Sequence, residues 1–243
     1  MKAIILCAGK GKRTGLLYPK CLQKFSDGTS IIEKKLEILK KNGFKKKNII
    51  FATGFREDLI KKKTNNSYKY IKNKKFNTTN MIFSLNEVLK KIKSDDICVI
   101  YADILFQAKD LKKIILSKKK IITLVDTKWL QKWKLKSNFK EDLEELKLKR
   151  NKVVAIGKKT NRIDDIDGRY VGITKFSKSI ITIFKKKKIL KNFLLNNLKL
   201  DFTTFLMKLI NYNFNVYALK KAVDWHEFDT KHDFKNYEKN LKK

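Results

Sequence analysis

The chain has 243 residues, with 59 lysines and arginines against 24 aspartates and glutamates, giving a formal net charge of +35. Its 42% hydrophobic content is enough for the core of one α/β domain and excludes a disordered polyelectrolyte. The basic residues are spread along the whole chain, and no nucleic-acid-binding motif accompanies them, so a specific nucleic-acid partner is not expected.

A basic surface still attracts nucleotides and other small anions. Cys7, Cys21 and Cys98 are odd in number and match no zinc spacing; they read as reduced core residues of a cytoplasmic protein. No apolar run reaches membrane-spanning length, and the stretch 1–7, a short strand-like run entering a glycine loop, lacks the long apolar core of a signal peptide. The expected partners are therefore small anions, with no specific nucleic acid and no membrane, and a homodimer is left open.

In chain order, Lys2–Cys7 reads as a strand buried on both faces, because Ala3, Ile4, Ile5 and Leu6 run without alternation. A glycine-rich loop follows over 8–14. Residues 30–42 repeat Ile31, Ile32, Leu36, Ile38 and Leu39 at helical spacing, and Asn42-Gly43 stops them. Residues 48–53 form a second strand ended by Gly54, Glu57–Lys63 a helix, and 68–72 a short strand. Ile82, Phe83, Leu85, Val88 and Leu89 mark a helical face over 80–91. Strands over 96–101 and Ile121–Asp126 complete a strand–helix alternation that predicts a mostly parallel mixed sheet flanked by helices. Residues 126–170 are more charged and less periodic, with strands over 145–148 and 153–156. They are expected to form an acceptor-binding elaboration of a single domain spanning 1–243. Strands over 170–176 and 216–220 and helices over Phe202–Asn211 and Lys231–Leu241 close the chain.

The most informative segment is LCAGKGKRTGLLYPKCL, residues 6–22. A buried strand runs into small residues whose backbone N–H groups can approach an anion closely, and glycine tolerates the dihedral angles such a loop needs. Leu6, Ala8, Gly9, Gly11, Lys12 and Arg13 are the candidate phosphate contacts. The Arg13 guanidinium offers a fixed fork of donors, and Lys20 follows as a point charge. The segment is neither GxxxxGK[ST] nor GxGxxG, since Thr14 stands where a third glycine would fall.

Three carboxylates suit a hard cation. Asp103 lies just past the strand over 96–101, at the sheet edge where open α/β folds bind ligands. Glu227 and Asp229 lie two apart in WHEFDT, so an extended segment turns both to one face. Such oxygen ligands with substrate phosphates are what Mg²⁺ prefers. The plainer alternatives are surface acids, or Asp229-Thr230 starting the last helix. His226 and His232 are read as structural.

The strand, AGKGKR and Pro19-Lys20 together resemble the signature of the NTP transferases that make sugar nucleotides and related compounds. The resemblance implies a Rossmann-like sheet, a loop around an NTP triphosphate, Arg13 and Lys20 as catalytic cations, and Asp103 with Glu227 and Asp229 as Mg²⁺ ligands. Several segments narrow the branch: FNTTNMIFSL (76–85), the Gly54 turn, IDDIDGRYVGITKF (163–176), LDFTTFL (200–206) and WHEFDT resemble phosphocholine- and phosphonate-type cytidylyltransferases. Gly54, Asn80 and Ser84 are then candidate nucleotide contacts, with helix capping the alternative for Asn80. Trp129, Lys159, Tyr170, Gly172 and Asp201 are candidate acceptor contacts, with Asp167 and Lys175 also considered. Trp129 and Trp133 could box a quaternary ammonium, or simply pack against the sheet. The implied activity is Mg²⁺-dependent transfer of CMP from CTP to a small phosphate or phosphonate acceptor such as phosphocholine, phosphoethanolamine or an aminoethylphosphonate. The rival readings are a uridylyl- or thymidylyltransferase acting on a sugar 1-phosphate, and a non-catalytic nucleotide-sensing domain.

Overall fold

The computed structural model describes residues 1–11, 15–134, 139 and 142–241. The sheet grows from β1 (Lys2–Cys7), which pairs in parallel with β2 (Ile49–Thr53) on one side and β4 (Ile97–Tyr101) on the other. Beyond β2 lies β3 (Lys69–Lys72), also parallel. On the other flank β9 (Arg169–Phe176) runs antiparallel between β4 and β6 (Ile121–Asp126). The sheet continues through β10 (Tyr217–Lys221), parallel to β6, and ends in the antiparallel pair β8 (Lys152–Lys159) and β7 (Glu144–Lys149). The order of the nine strands is β3-β2-β1-β4-β9-β6-β10-β8-β7. Only β8 and β9 oppose the common direction, so the expected mostly parallel mixed sheet is found.

The continuous apolar run of β1 has the reason given by its sequence. Ile4 and Leu6 point into one core layer and Ala3, Ile5 and Cys7 into the other. The first layer is covered by α3 (Met81–Lys90), α6 (Lys178–Lys186), α7 (Ile189–Asn196) and α8 (Phe202–Asn211). The second is covered by α1 (Ile31–Lys41), α2 (Glu57–Lys63), α4 (Ala108–Leu116) and α5 (Trp129–Trp133). A helix layer on each face leaves the C-terminal ends of the parallel strands as the open edge, which is where ligand sites form in such sheets.

A two-stranded ribbon sits at that edge. It pairs β5 (Ile104–Phe106) antiparallel with β11 (Trp225–Glu227). The last helix, α9 (Lys231–Leu241), packs Phe234 with Phe25, Ile31, Leu105 and Phe228 in a small third cluster. Among the described residues, no helix is long and apolar enough to cross a membrane.

Candidate active site

Lys20 is the centre of the site. Pro19 sets an extended approach (φ −57°, ψ 131°) into a single 3₁₀ turn, Lys20–Leu22, whose lysine turns inward toward the strand ends. Its Nζ donates to Asp103 Oδ2 at 2.7 Å and to Asp229 Oδ1 at 3.0 Å. Burial works against the ammonium, but the two carboxylates outweigh it and raise its pKa above the usual lysine range. Asp103 shows the converse: burial would push its pKa up, and the charge and hydrogen bond of Lys20 hold it below the usual carboxylate range.

The two acids reach Lys20 by different routes. Asp103 follows β4 directly. Asp229 arrives from the far end of the chain because β11 is zipped to β5, and the Phe228 N–H donates to the Asp103 carbonyl at 3.0 Å. Thr230 then caps α9 reciprocally with Asp233: Asp233 accepts from the Thr230 N–H at 2.8 Å, and the Asp233 N–H donates to Thr230 Oγ1 at 3.2 Å. The cap therefore belongs to Thr230 and Asp233, and the Asp229 carboxylate is turned to Lys20 instead. Glu227 lies on the same side, and Asp142, Glu227 and Asp229 place carboxylate oxygens within 4.8 Å of one another. Asp142 has no motif around it in the sequence and was not anticipated.

Two clefts meet at this ion-pair cluster, with Met81 and Tyr101 lining both. The first opens beside the glycine loop. Of the anticipated nucleotide contacts, Leu6, Ala8, Gly9, Gly11, Lys20, Asn80, Ser84 and Asp103 line it. Lys12 and Arg13 lie outside the described residues. Gly11 has φ +60°, and a Cβ there would stand 2.7 Å from Lys20 Cγ, so this glycine makes room for the lysine as well as for the turn. Gly54 does not line the cleft. It lets the β2–α2 turn close on the loop, since a Cβ there would meet the Ala8 carbonyl oxygen at 2.6 Å and Phe76 Cβ at 2.7 Å.

Asn80 is an N-cap, its side chain accepting from the Met81 N–H at 2.9 Å, so the capping and cleft-lining readings coexist in one residue. Buried Asn73, also missed, donates to Ser84 Oγ at 3.0 Å and Thr79 Oγ1 at 2.9 Å and ties the α3 end of the cleft together. Its only sequence signal is an asparagine just after a strand.

The second cleft is acidic. Asp142, Glu144, Glu145, Asp201, Glu227 and Asp229 line it with Tyr170 and Arg169. Burial raises the Glu144 pKa against the pull of Arg169, and Asp201 and Asp142 add to the rise. Arg169 donates to the Asp142 carbonyl at 2.8 Å and its carboxylate at 3.1 Å, while its guanidinium rests over the Trp133 ring, 4.1 Å from the centroid.

Of the anticipated acceptor contacts, Tyr170 and Asp201 line this cleft, Asp201 also capping α8 through the Thr204 N–H at 2.7 Å. The other three stand elsewhere. Trp129 is buried in the core, and Trp133 stacks on Trp225, so the pair packs against the sheet and forms no ammonium box. Lys159 is exposed at the end of β8. Gly172, at φ +83°, lies against the Tyr101 ring, where a Cβ would approach Cδ2 to 2.9 Å. Lys175 is buried and spends its ammonium on the Ile115 and Ser117 carbonyls, and Asp167 accepts from the Leu148 N–H at 2.7 Å. Neither is placed to hold an acceptor.

Comparison with known proteins bears on this geometry. Residues 3–154 match the MobA-like NTP transferase domain. A CTP:phosphoglutamine cytidylyltransferase of Campylobacter jejuni subsp. jejuni serotype O:2 is 30% identical over 245 residues, covering 94% of this chain and 96% of the relative. The inositol-1-phosphate CTP transferase from T. maritima superposes with a TM-score of 0.73 at 22% identity, over 96% of this chain and 90% of its own. The CTP:phosphocholine cytidylyltransferase from Streptococcus pneumoniae superposes with a TM-score of 0.67 at 21% identity, over 99% and 98%. The two structural likenesses establish the fold, and the first two matches establish the family: the chain belongs to the MobA-like NTP transferases and is a nucleotidyltransferase.

Proposed function

We propose that this chain transfers CMP from CTP to a small phosphate- or phosphonate-bearing acceptor that also carries a cationic amine, releasing pyrophosphate. The observation that carries the reading is the placement of Lys20, held by Asp103 and Asp229 where a glycine-loop cleft meets an acidic one. The choice of CTP rests on the cytidylyltransferase that matches the chain nearly end to end.

The acceptor oxygen attacks the α-phosphorus in line, a new P–O bond forms, and the bond to the β-phosphate oxygen breaks as pyrophosphate leaves. The transition state asks mainly for positioning and for positive charge around the phosphates. Lys20 supplies such a charge at the junction of the clefts, and Arg13 of the same loop adds a guanidinium. Backbone N–H groups of the loop from Ala8 to Gly11 hold the triphosphate. The carboxylates of Glu227 and Asp229, grouped with that of Asp142, and the carboxylate of Asp103, joined to Asp229 through Lys20, are hard oxygen donors of the kind Mg²⁺ takes. Held by these carboxylates, Mg²⁺ would supply positive charge that offsets the charge of the phosphates.

The acidic cleft selects the acceptor class. Asp142 is paired with Arg169 and Asp229 with Lys20, but Glu144, Glu145 and Asp201 also line the cleft, and in a chain of net charge +35 they create a local field that favours an ammonium. The stretch around 126–170 supplies Asp142, Glu144 and Arg169 to it and is the acceptor-binding elaboration of the fold. The uncharged sugar of a sugar 1-phosphate offers these acids no countercharge.

The test is transfer of label from α-³²P-CTP in the presence of phosphoethanolamine, phosphocholine, 2-aminoethylphosphonate or glucose 1-phosphate. Label moving onto an amine-bearing acceptor supports the reading. Label moving only onto the sugar phosphate would replace it with the sugar-nucleotide alternative.

A further inference from the structure

Lys35 is a fully buried lysine in the middle of α1. It shares the buried face of that helix with Ile31 and Leu39, where an apolar side chain would be the ordinary choice. Its ammonium donates to the Tyr101 carbonyl, at the last residue of β4. Among the described residues, no carboxylate lies within ion-pair distance of it. A buried ammonium without a close counterion is costly, and replacing such a group with an apolar one is often stabilising. Packing alone does not account for it.

Its surroundings point to the site. The charged and thiol groups that face Lys35 are Asp103, Cys21 and Cys7. Cys7 ends the strand that feeds the glycine loop, Cys21 follows Lys20 in its turn, and Asp103 follows β4. Lys35 thus sits beneath the three segments that build the site, on the side away from the clefts. Both thiols are held neutral, chiefly by burial, so Asp103 is the one formal negative charge of the three. On its open side Asp103 is paired with Lys20, which must also serve the phosphates.

We propose that Lys35 is a positioning residue for the transfer reaction. From the core side it pins the Tyr101 carbonyl and so fixes the turn that presents Asp103. Its ammonium also faces that carboxylate from the core side, whether or not Lys20 is engaged with nucleotide. This assignment rests on the functional reading above, in which Asp103 holds the metal–nucleotide complex.

The test is calorimetric titration of CTP into the full chain with and without Mg²⁺, using Lys35→Met and Lys35→Gln, and with circular dichroism and thermal melts to establish folding. Loss of a group that orients a metal ligand typically weakens metal affinity 10–100-fold. In Lys35→Met the gain in CTP affinity conferred by Mg²⁺ should fall by about tenfold, while binding without Mg²⁺ stays near that of the unsubstituted chain. Lys35→Gln, which keeps a donor for the Tyr101 carbonyl, should recover part of the loss.

A purely structural role would lower the melting temperature and leave the Mg²⁺ effect unchanged, and that result overturns the assignment. If Lys35→Met does not fold, Lys35→Gln decides alone: a weakened Mg²⁺ effect supports the assignment and an unchanged one overturns it. An unsubstituted chain whose CTP binding ignores Mg²⁺ would overturn the functional reading, and this assignment with it.

Discussion

Asp103 accepts from Lys20 and stands among the groups expected to hold the metal, so its negative charge is used on both sides. An amide keeps its shape and removes that charge. Asp103→Asn should therefore leave the chain folded but melting lower, because the ion pair with Lys20 is lost, and lower turnover at ordinary Mg²⁺ by about 10²–10³, the range seen when one preorganised electrostatic group is lost. Near-normal turnover would remove Asp103 from the site. Lys35 gives a second prediction at the same scale. Burial brings its pKa down to about 8, against the pull of Asp103, from an ordinary 10.5. Between those values the unfolded chain binds a proton that the folded chain lacks, so this group's contribution to stability rises with pH across the window and is flat below it. Lys35→Met should melt higher than the unsubstituted chain at pH 7, with the difference shrinking toward pH 10.5. A difference independent of pH would contradict this. Much of the site was readable at this scale, because the glycine loop, Lys20 and Asp103 follow strand ends in a compact pattern. Lys35 was not read, although Ile31, Lys35 and Leu39 lie four apart and place it on the buried face. One lysine among so many looks like solvated surface until a neighbouring strand covers it.

The ribbon of β5 and β11 brings the two ends of the site together, and the α9 cap sets its last residue. Thr230→Ala removes one half of the reciprocal cap and should cost about 1 kcal/mol of stability. It should also lower turnover, because the Asp229 backbone N–H shares the Asp233 carboxylate with Thr230. Thermal melts and initial rates check both effects, and an unchanged rate would mean that Phe228 in its aromatic cluster is enough to hold Asp229. The elements that sequence pattern did not reveal have physical reasons. β5 and β11 have three residues each, too few for alternation to register. α6 and α7 do carry helical spacing at Ile180, Ile181, Phe184, Ile189 and Phe193, but the lysine run 185–188 interrupts it. The chain turns there through Lys188 at φ +50°, so two helices pack where the composition suggests a charged break. Asp142 and Glu144 escaped notice because a twisted sheet edge carries them to a site far away in sequence.

Across the whole molecule, the sheet order places β1 and β4 side by side, so the loop after one and the acid after the other share an edge. Antiparallel β9 then carries Arg169 and Tyr170 to the acidic cleft on the same edge. The alternation of strands and helices was enough to read the mostly parallel sheet. The reversed insertion of β9 between β4 and β6 was not, since strand direction within a sheet leaves no mark on the periodicity of a buried strand. The contrast between a strongly basic chain and one acidic cleft is likewise a property of the folded molecule. In sequence the same carboxylates are scattered from Asp142 to Asp229. The central claim joins the two clefts in one reaction. It is tested most directly by pyrophosphate release from CTP, UTP, ATP, GTP and dTTP, each with and without an amine-bearing phosphate or phosphonate acceptor. Release from CTP that depends on such an acceptor and on Mg²⁺ is the predicted result. Release only from UTP or dTTP with a sugar 1-phosphate, or CTP binding with no release for any acceptor, would contradict it.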